Sequence, residues 1–201
     1  MENRDRARWT AFEGFRCIAS GELAQVALET KKVLDRGGRA PVLIFDDVTG
    51  EQIHLDFRGT PEDVLKRLPP RASQDDPAAD PNHPGREGPR GPGRPRLGVV
   101  AREVTLLPRH WDWLNGQPGG ASVALRKLVE QARRENEGRD RVRRAQEATY
   151  RFMSAMAGDL PGFEEAARAL FARDPERFAE HIRGWPGDVR GYLARLVQGS
   201  M

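Results

Sequence analysis

Pro41-Val42-Leu43-Ile44-Phe45-Asp46-Asp47-Val48-Thr49-Gly50-Glu51-Gln52-Ile53-His54-Leu55-Asp56-Phe57-Arg58 holds the two patterns that decide the fold class. Val42 to Phe45 is a continuous apolar run, as in a buried strand. Asp47-Val48-Thr49-Gly50 supplies a turn. Ile53, Leu55 and Phe57 then alternate with His54, Asp56 and Arg58, which predicts a strand with one wet face. Towards the N-terminus, Gly21 to Arg36 carries Leu23, Val26, Ala27, Val33 and Leu34 near helical spacing, and Gly37-Gly38 stops that helix. Before it, Trp9 to Ala19 alternates loosely through Phe12, Phe15 and Ile18, which predicts a strand or a short hairpin bent at Gly14. Towards the C-terminus, Thr60-Pro61-Glu62-Asp63 reads as a helix start: a threonine cap, proline at the first helical position and acids in the first turn. Residues 1–68 are therefore expected to form a small α+β domain in the order βαββα.

The remaining two thirds of the chain divide into three stretches. Residues 69–97 are dense in Pro, Gly, Arg and Asp and nearly lack bulky apolar side chains, so a disordered linker is expected. Its charge is polarised, with Asp75, Asp76 and Asp80 first and Arg86, Arg90, Arg94 and Arg96 last. Residues 98–137 read as strand, short helix, turn and longer helix. Residues 138–201 read as helical. Tyr150, Phe152, Met153 and Met156 share one helix, broken by Pro161-Gly162. Phe163, Ala167, Leu170 and Phe171 mark the next, and Asp174-Pro175 and Trp185-Pro186-Gly187-Asp188 open two more. The last of these holds Val189, Tyr192, Leu193 and Leu196.

Composition narrows the class of protein. Of 201 residues, 38% are hydrophobic and 31% charged, enough for small cores rather than one large one. The net charge of +3 is too small to argue for a polyanionic partner by itself, so the distribution of charge decides. Nearly all the positive charge is arginine, which suits bidentate contacts to phosphate or carboxylate. Cys17 is the single cysteine and excludes an intramolecular disulfide; it is expected to serve as a small apolar residue in a strand. Met1 to Arg8 is charged and has no apolar run, and no segment is long and apolar enough to span a bilayer. A soluble, cytoplasmic protein without a membrane partner is the expectation.

Two adjacent signals point towards DNA. Arg90-Gly91-Pro92-Gly93-Arg94-Pro95-Arg96 resembles an AT-hook, whose flat extended backbone lies in the narrow minor groove. A Pro/Gly/Arg tether in solvent is the alternative. Next come a β-like stretch from Val99 to Leu107, a short helix from Pro108 to Leu114, and the break Gly116-Gln117-Pro118-Gly119-Gly120. Ala121-Ser122 opens a helix with Leu125, Leu128, Val129 and Ala132 on one face. This run resembles the bacterial ribbon-helix-helix repressors. The resemblance implies that two chains pair residues 99–107 into a ribbon for the major groove, while the second helix's N-terminus holds a phosphate. One strand register presents Arg102, Val104 and Leu106, and the other Glu103, Thr105 and Leu107. The DNA contacts it implies are Arg90, Arg94 and Arg96 in the arm, Arg102 and Thr105 on the ribbon, and Gly120, Ser122 and Arg126 on the second helix. Ser122 would cap that helix. The helix continues with Lys127, Arg133, Arg134, Arg139, Arg141, Arg143 and Arg144, interleaved with Glu130, Glu135, Glu137, Asp140 and Glu147. A basic DNA-facing surface and an exposed helix laced with ion pairs both fit that pattern.

As a whole, the chain resembles an uncharacterised family of bacterial proteins, labelled domain of unknown function 2239. The carriers are the run from Pro95 to Leu114 and Pro118-Gly119-Gly120-Ala121-Ser122. That resemblance implies no activity.

Catalysis is not expected, nor is a cofactor or a metal. His54 and Asp56 share a strand face near Asp46 and Asp47, but no second cluster has ligand spacing. His110, beside Trp111 and Trp113, reads as core packing with one polar tip. The leading expectation is a DNA-associated regulatory or accessory protein, with the N-terminal unit sensing a ligand or binding a partner. The alternative is a protein–protein interaction module, antitoxin-like or a scaffold, without a DNA role. An enzyme with a pocket around His54 and Asp56 is the third.

Overall fold

The computed structural model describes residues 8–38, 40–69 and 102–198. They form a mixed α+β structure in two compact units, one of residues 8–69 with 136–198 and one ending at residue 135. The linker expected over 69–97, and with it the arm, lies outside the described residues apart from Pro69.

The first unit begins with a hairpin, β1 (Trp9–Glu13) and β2 (Arg16–Gly21), turned at Gly14 with φ +53°. Of the two readings of this stretch, the hairpin holds, so the order is ββαββα. Helix α1 (Leu23–Asp35) follows, then β3 (Val42–Asp46), β4 (Gln52–Ile53) and α2 (Pro61–Lys66). The four strands form one antiparallel sheet in the order β2-β1-β3-β4. Side chains of the two central strands alternate between its faces. Ala11 and Ile44 pack with Val26 of α1, while Phe12, Leu43 and Phe45 join the core built by the C-terminal helices. Both faces are covered, which explains why Val42 to Phe45 is apolar without interruption.

β4 is shorter than the alternation from Ile53 to Phe57 predicts. Ile53, Leu55 and Phe57 do pack against the Ala11–Val26–Ile44 cluster, so the inward face is as expected. The backbone leaves the ladder because Asp56 organises it locally. Its carboxylate accepts from the Arg58 backbone N–H at 3.0 Å, and its carbonyl accepts from Arg67 at 3.2 Å. Such side-chain bonds compete with sheet pairing. α2 starts as expected: Thr60 accepts from the Asp63 N–H, and Asp63 accepts from the Thr60 N–H, a reciprocal capping box.

Helices α3 (Pro108–Asn115) and α4 (Gly120–Ala157) follow; α4 runs without interruption for 38 residues. Its residues from 136 onward belong to the first unit and bury Gln146, Ala148, Thr149, Phe152, Met153, Met156 and Ala157. α5 (Phe163–Ala172), α6 (Pro175–His181) and α7 (Gly187–Val197) complete that unit and start where Pro161-Gly162, Asp174-Pro175 and Pro186-Gly187 place them. The core centres on four rings. Phe12, Phe45, Phe152 and Tyr192 meet at centroid distances of 4.3 to 6.2 Å, mostly tilted or edge-to-face. No helix among the described residues is long and apolar enough to cross a membrane.

Candidate functional site

The second unit holds the described part of the stretch singled out for DNA. Residues 102–107 form neither helix nor strand and pair with no strand of the chain's own sheet among the described residues. Pro108 at the first helical position starts α3, where the N–H that proline lacks would have had no partner within the helix. Gly116 caps it with helical angles. Gly119 and Gly120 then take the left-handed conformation, at φ +86° and +74°. A Cβ on Gly119 would also lie 3.1 Å from Val123, so both strain and space favour glycine at that corner. α4 begins at Gly120, which puts Ser122 in its first turn rather than at the cap. Arg126 folds back along the helix, its Nε donating to the Ser122 carbonyl at 3.1 Å.

This unit buries little of its apolar material. Leu114 and Ala124 are buried but join neither core cluster. Val104, Trp113 and Val129 are 55%, 54% and 63% exposed, and Leu107 and Leu128 are exposed as well. Trp113 was expected in a core, with His110 as its polar tip. α3 is too short to bring both faces of an eight-residue helix under cover, so Trp111 is half-buried and Trp113 and His110 face solvent. Leu128 and Val129 on α4 are likewise exposed among the described residues.

The charges of α4 are partly committed. Glu130 pairs with Arg133 at 3.5 Å and Arg134 at 3.3 Å, and Asp140 with Arg143 at 3.1 Å. These are exposed helical pairs of a few tenths of a kcal/mol.

A second feature lies inside the first unit. Asp47, in the β3–β4 turn, receives two hydroxyls on one oxygen: its Oδ1 accepts from Thr10 at 2.8 Å and from Tyr192 at 2.9 Å. A threonine hydroxyl has one proton and a carboxylate can only accept. Thr10 therefore donates to Asp47, and its oxygen accepts from Ser20, 3.1 Å away. Thr10 is fully buried and Tyr192 nearly so. Burial, followed by the charge of Asp47, pushes the Tyr192 phenol far above its ordinary range, so it stays a donor. Ser20, Asp47 and Tyr192 border a cavity of about 360 Å³ lined also by Arg8, Val48 and Arg195. The Arg195 guanidinium sits 5.1 Å from the centre of the Tyr192 ring.

The profile of a family described as uncharacterised proteins conserved in bacteria, domain of unknown function 2239, matches residues 8–197. The chain belongs to this family. No curated protein and no solved structure matches it. Membership thus spans both units but carries no activity.

Of the residues singled out from sequence, Arg102, Thr105, Ser122 and Arg126 are exposed and Gly120 is half-buried, all in one unit. Arg90, Arg94 and Arg96 lie outside the described residues. His54 is exposed and Asp56 is half-buried. Asp56 is taken by Arg58 at 2.8 Å and Arg67 at 3.6 Å, and the hydrogen bonds from Arg58 hold its carboxyl well below the usual range. Among the described residues no cluster of His, Cys, Asp and Glu could hold a metal ion. Cys17 is in a strand as expected, but β2 is an edge strand and the thiol is exposed rather than packed. Sequence reading missed the Ser20–Thr10–Asp47–Tyr192 chain. A lone acid in a turn and a tyrosine in an amphipathic helix carry no spacing that links them.

Proposed function

We propose that the second unit is a homodimerising, DNA-associating segment, and that the protein is a DNA-associated regulatory or accessory protein. The observation that carries the reading is the exposed apolar surface of Val104, Leu107, Trp113, Leu128 and Val129 on a unit whose described residues form no core cluster of their own. Apolar groups gathered in that way mark interaction surfaces. A second copy, pairing residues 99–107 edge to edge and packing α3 and α4, would cover them. The extended segment, short helix, two-glycine corner and long helix follow the order of a ribbon-helix-helix chain. In this reading Arg102 and Thr105 face the major groove, Gly120 and Ser122 approach a phosphate, and Arg126 adds charge. Arg90, Arg94 and Arg96 reach the minor groove.

Fluorescence anisotropy of a labelled random duplex tests the DNA half. Affinity should fall linearly with the logarithm of salt concentration, and the Arg94→Ala/Arg96→Ala variant should bind more weakly. Its salt slope should be shallower by about 2, one phosphate contact per arginine. No binding at low salt, or an unchanged slope, would refute it.

A second reading keeps the dimerising or docking surface and drops DNA. The pairing of Glu130 with both Arg133 and Arg134 favours it, since those arginines already have partners. A protein partner that co-purifies in equal amount without nucleic acid would decide for it.

A further inference from the structure

The cavity beside Asp47 plays no part in the DNA reading, and its chemistry is too specific for a packing void. We propose that it binds a small zwitterion, a free α-amino acid with an apolar side chain.

Three features specify the ligand. The first is the carboxylate. Both hydroxyl donors converge on Asp47 Oδ1, and among the described residues no group donates to Oδ2. Thr10 and Tyr192, both buried, hold the carboxylate rigidly at the edge of the cavity with one oxygen left to accept. An ammonium fits that oxygen, because a charge-assisted hydrogen bond is roughly twice as strong as a neutral one.

The second is the pair of guanidiniums. Arg8 and Arg195 line the same cavity, and among the described residues neither forms an ion pair. Arg195 is steadied by the face of Tyr192. Two forked donors match the two oxygens of a carboxylate. A purely anionic ligand would have to sit against Asp47, and a purely cationic one against the arginines. A molecule carrying both charges satisfies each side.

The third is size and lining. Val48, Ala148 and Leu196 give the cavity apolar wall, and about 360 Å³ lies at the small end of the range for ligand pockets, roughly 300–1,000 Å³. That suits a single amino acid with an aliphatic side chain rather than a nucleotide.

Isothermal titration of the full chain with L-leucine, isocaproate and isoamylamine tests this, since the last two each keep one charge of leucine. Leucine should bind saturably at one site per chain, and each analogue at least about ten-fold more weakly, as for loss of one charged contact. Asp47→Asn and Arg195→Gln should each weaken leucine to a similar degree. Arg195 is exposed, so its variant should unfold at the same temperature as the parent and remains informative if Asp47→Asn does not fold. Absence of saturable leucine binding would overturn the proposal. So would isocaproate binding as tightly as leucine, which indicates a plain anion site, or unchanged affinity in Arg195→Gln.

Discussion

Gly50 shows how one residue joins two distant parts of the chain. It closes the turn after β3 at φ +66°, and a Cβ there would lie 2.1 Å from the Ala148 carbonyl oxygen in α4. That atom is helix backbone and cannot swing aside. Gly50→Ala combines left-handed strain with an overlap, so a loss of about 2–5 kcal/mol is expected. Urea denaturation at neutral pH measures it, and a midpoint equal to the parent's would show that the turn does not rest on α4. From sequence, Gly50 was legible as a turn residue, because Asp47-Val48-Thr49-Gly50 has local turn chemistry. Its contact with Ala148 was not, because nothing local encodes which helix arrives there. The same holds for Asp47 and Tyr192, which are hydrogen-bonded across 145 residues of chain.

Elements whose signals are local were read almost to the residue. Thr60-Pro61-Glu62-Asp63 states its own cap, and α2 begins there. Thr60→Ala should lower stability by about 1 kcal/mol in the same denaturation assay, the ordinary worth of an N-cap. The Thr60 hydrogen bonds hold the Asp63 carboxyl below its ordinary range. With the folded value depressed, the box contributes fully above the unfolded value, near pH 4, and fades as pH falls below it. The difference between parent and variant should therefore shrink in acid; a gap that widened below that pH would contradict the assignment. Where elements departed from expectation, tertiary or side-chain competition was the cause. Asp56 drew the backbone out of β4, and α3 proved too short to bury Trp113. α4 changes character along its length, from Glu130, Arg133 and Arg134 in solvent to Phe152 and Met153 in the core. Among the described residues, its large buried apolar side chains all lie in the second half.

At the scale of the molecule, the two units differ in their cores. The first has a core closed on both faces of its sheet and includes a cavity lined by both charged and apolar side chains. Among the described residues, the second leaves five large apolar side chains exposed and forms no core cluster, the pattern on which the proposed dimer rests. Multi-angle light scattering of the full-length protein on size exclusion, free and with a random duplex, tests that dimer most directly. The expected mass is about twice that of the 22.5 kDa chain, with duplex adding to the dimer and the Val129→Glu variant falling to one chain. A parent that elutes at the mass of one chain and ignores the duplex would contradict it.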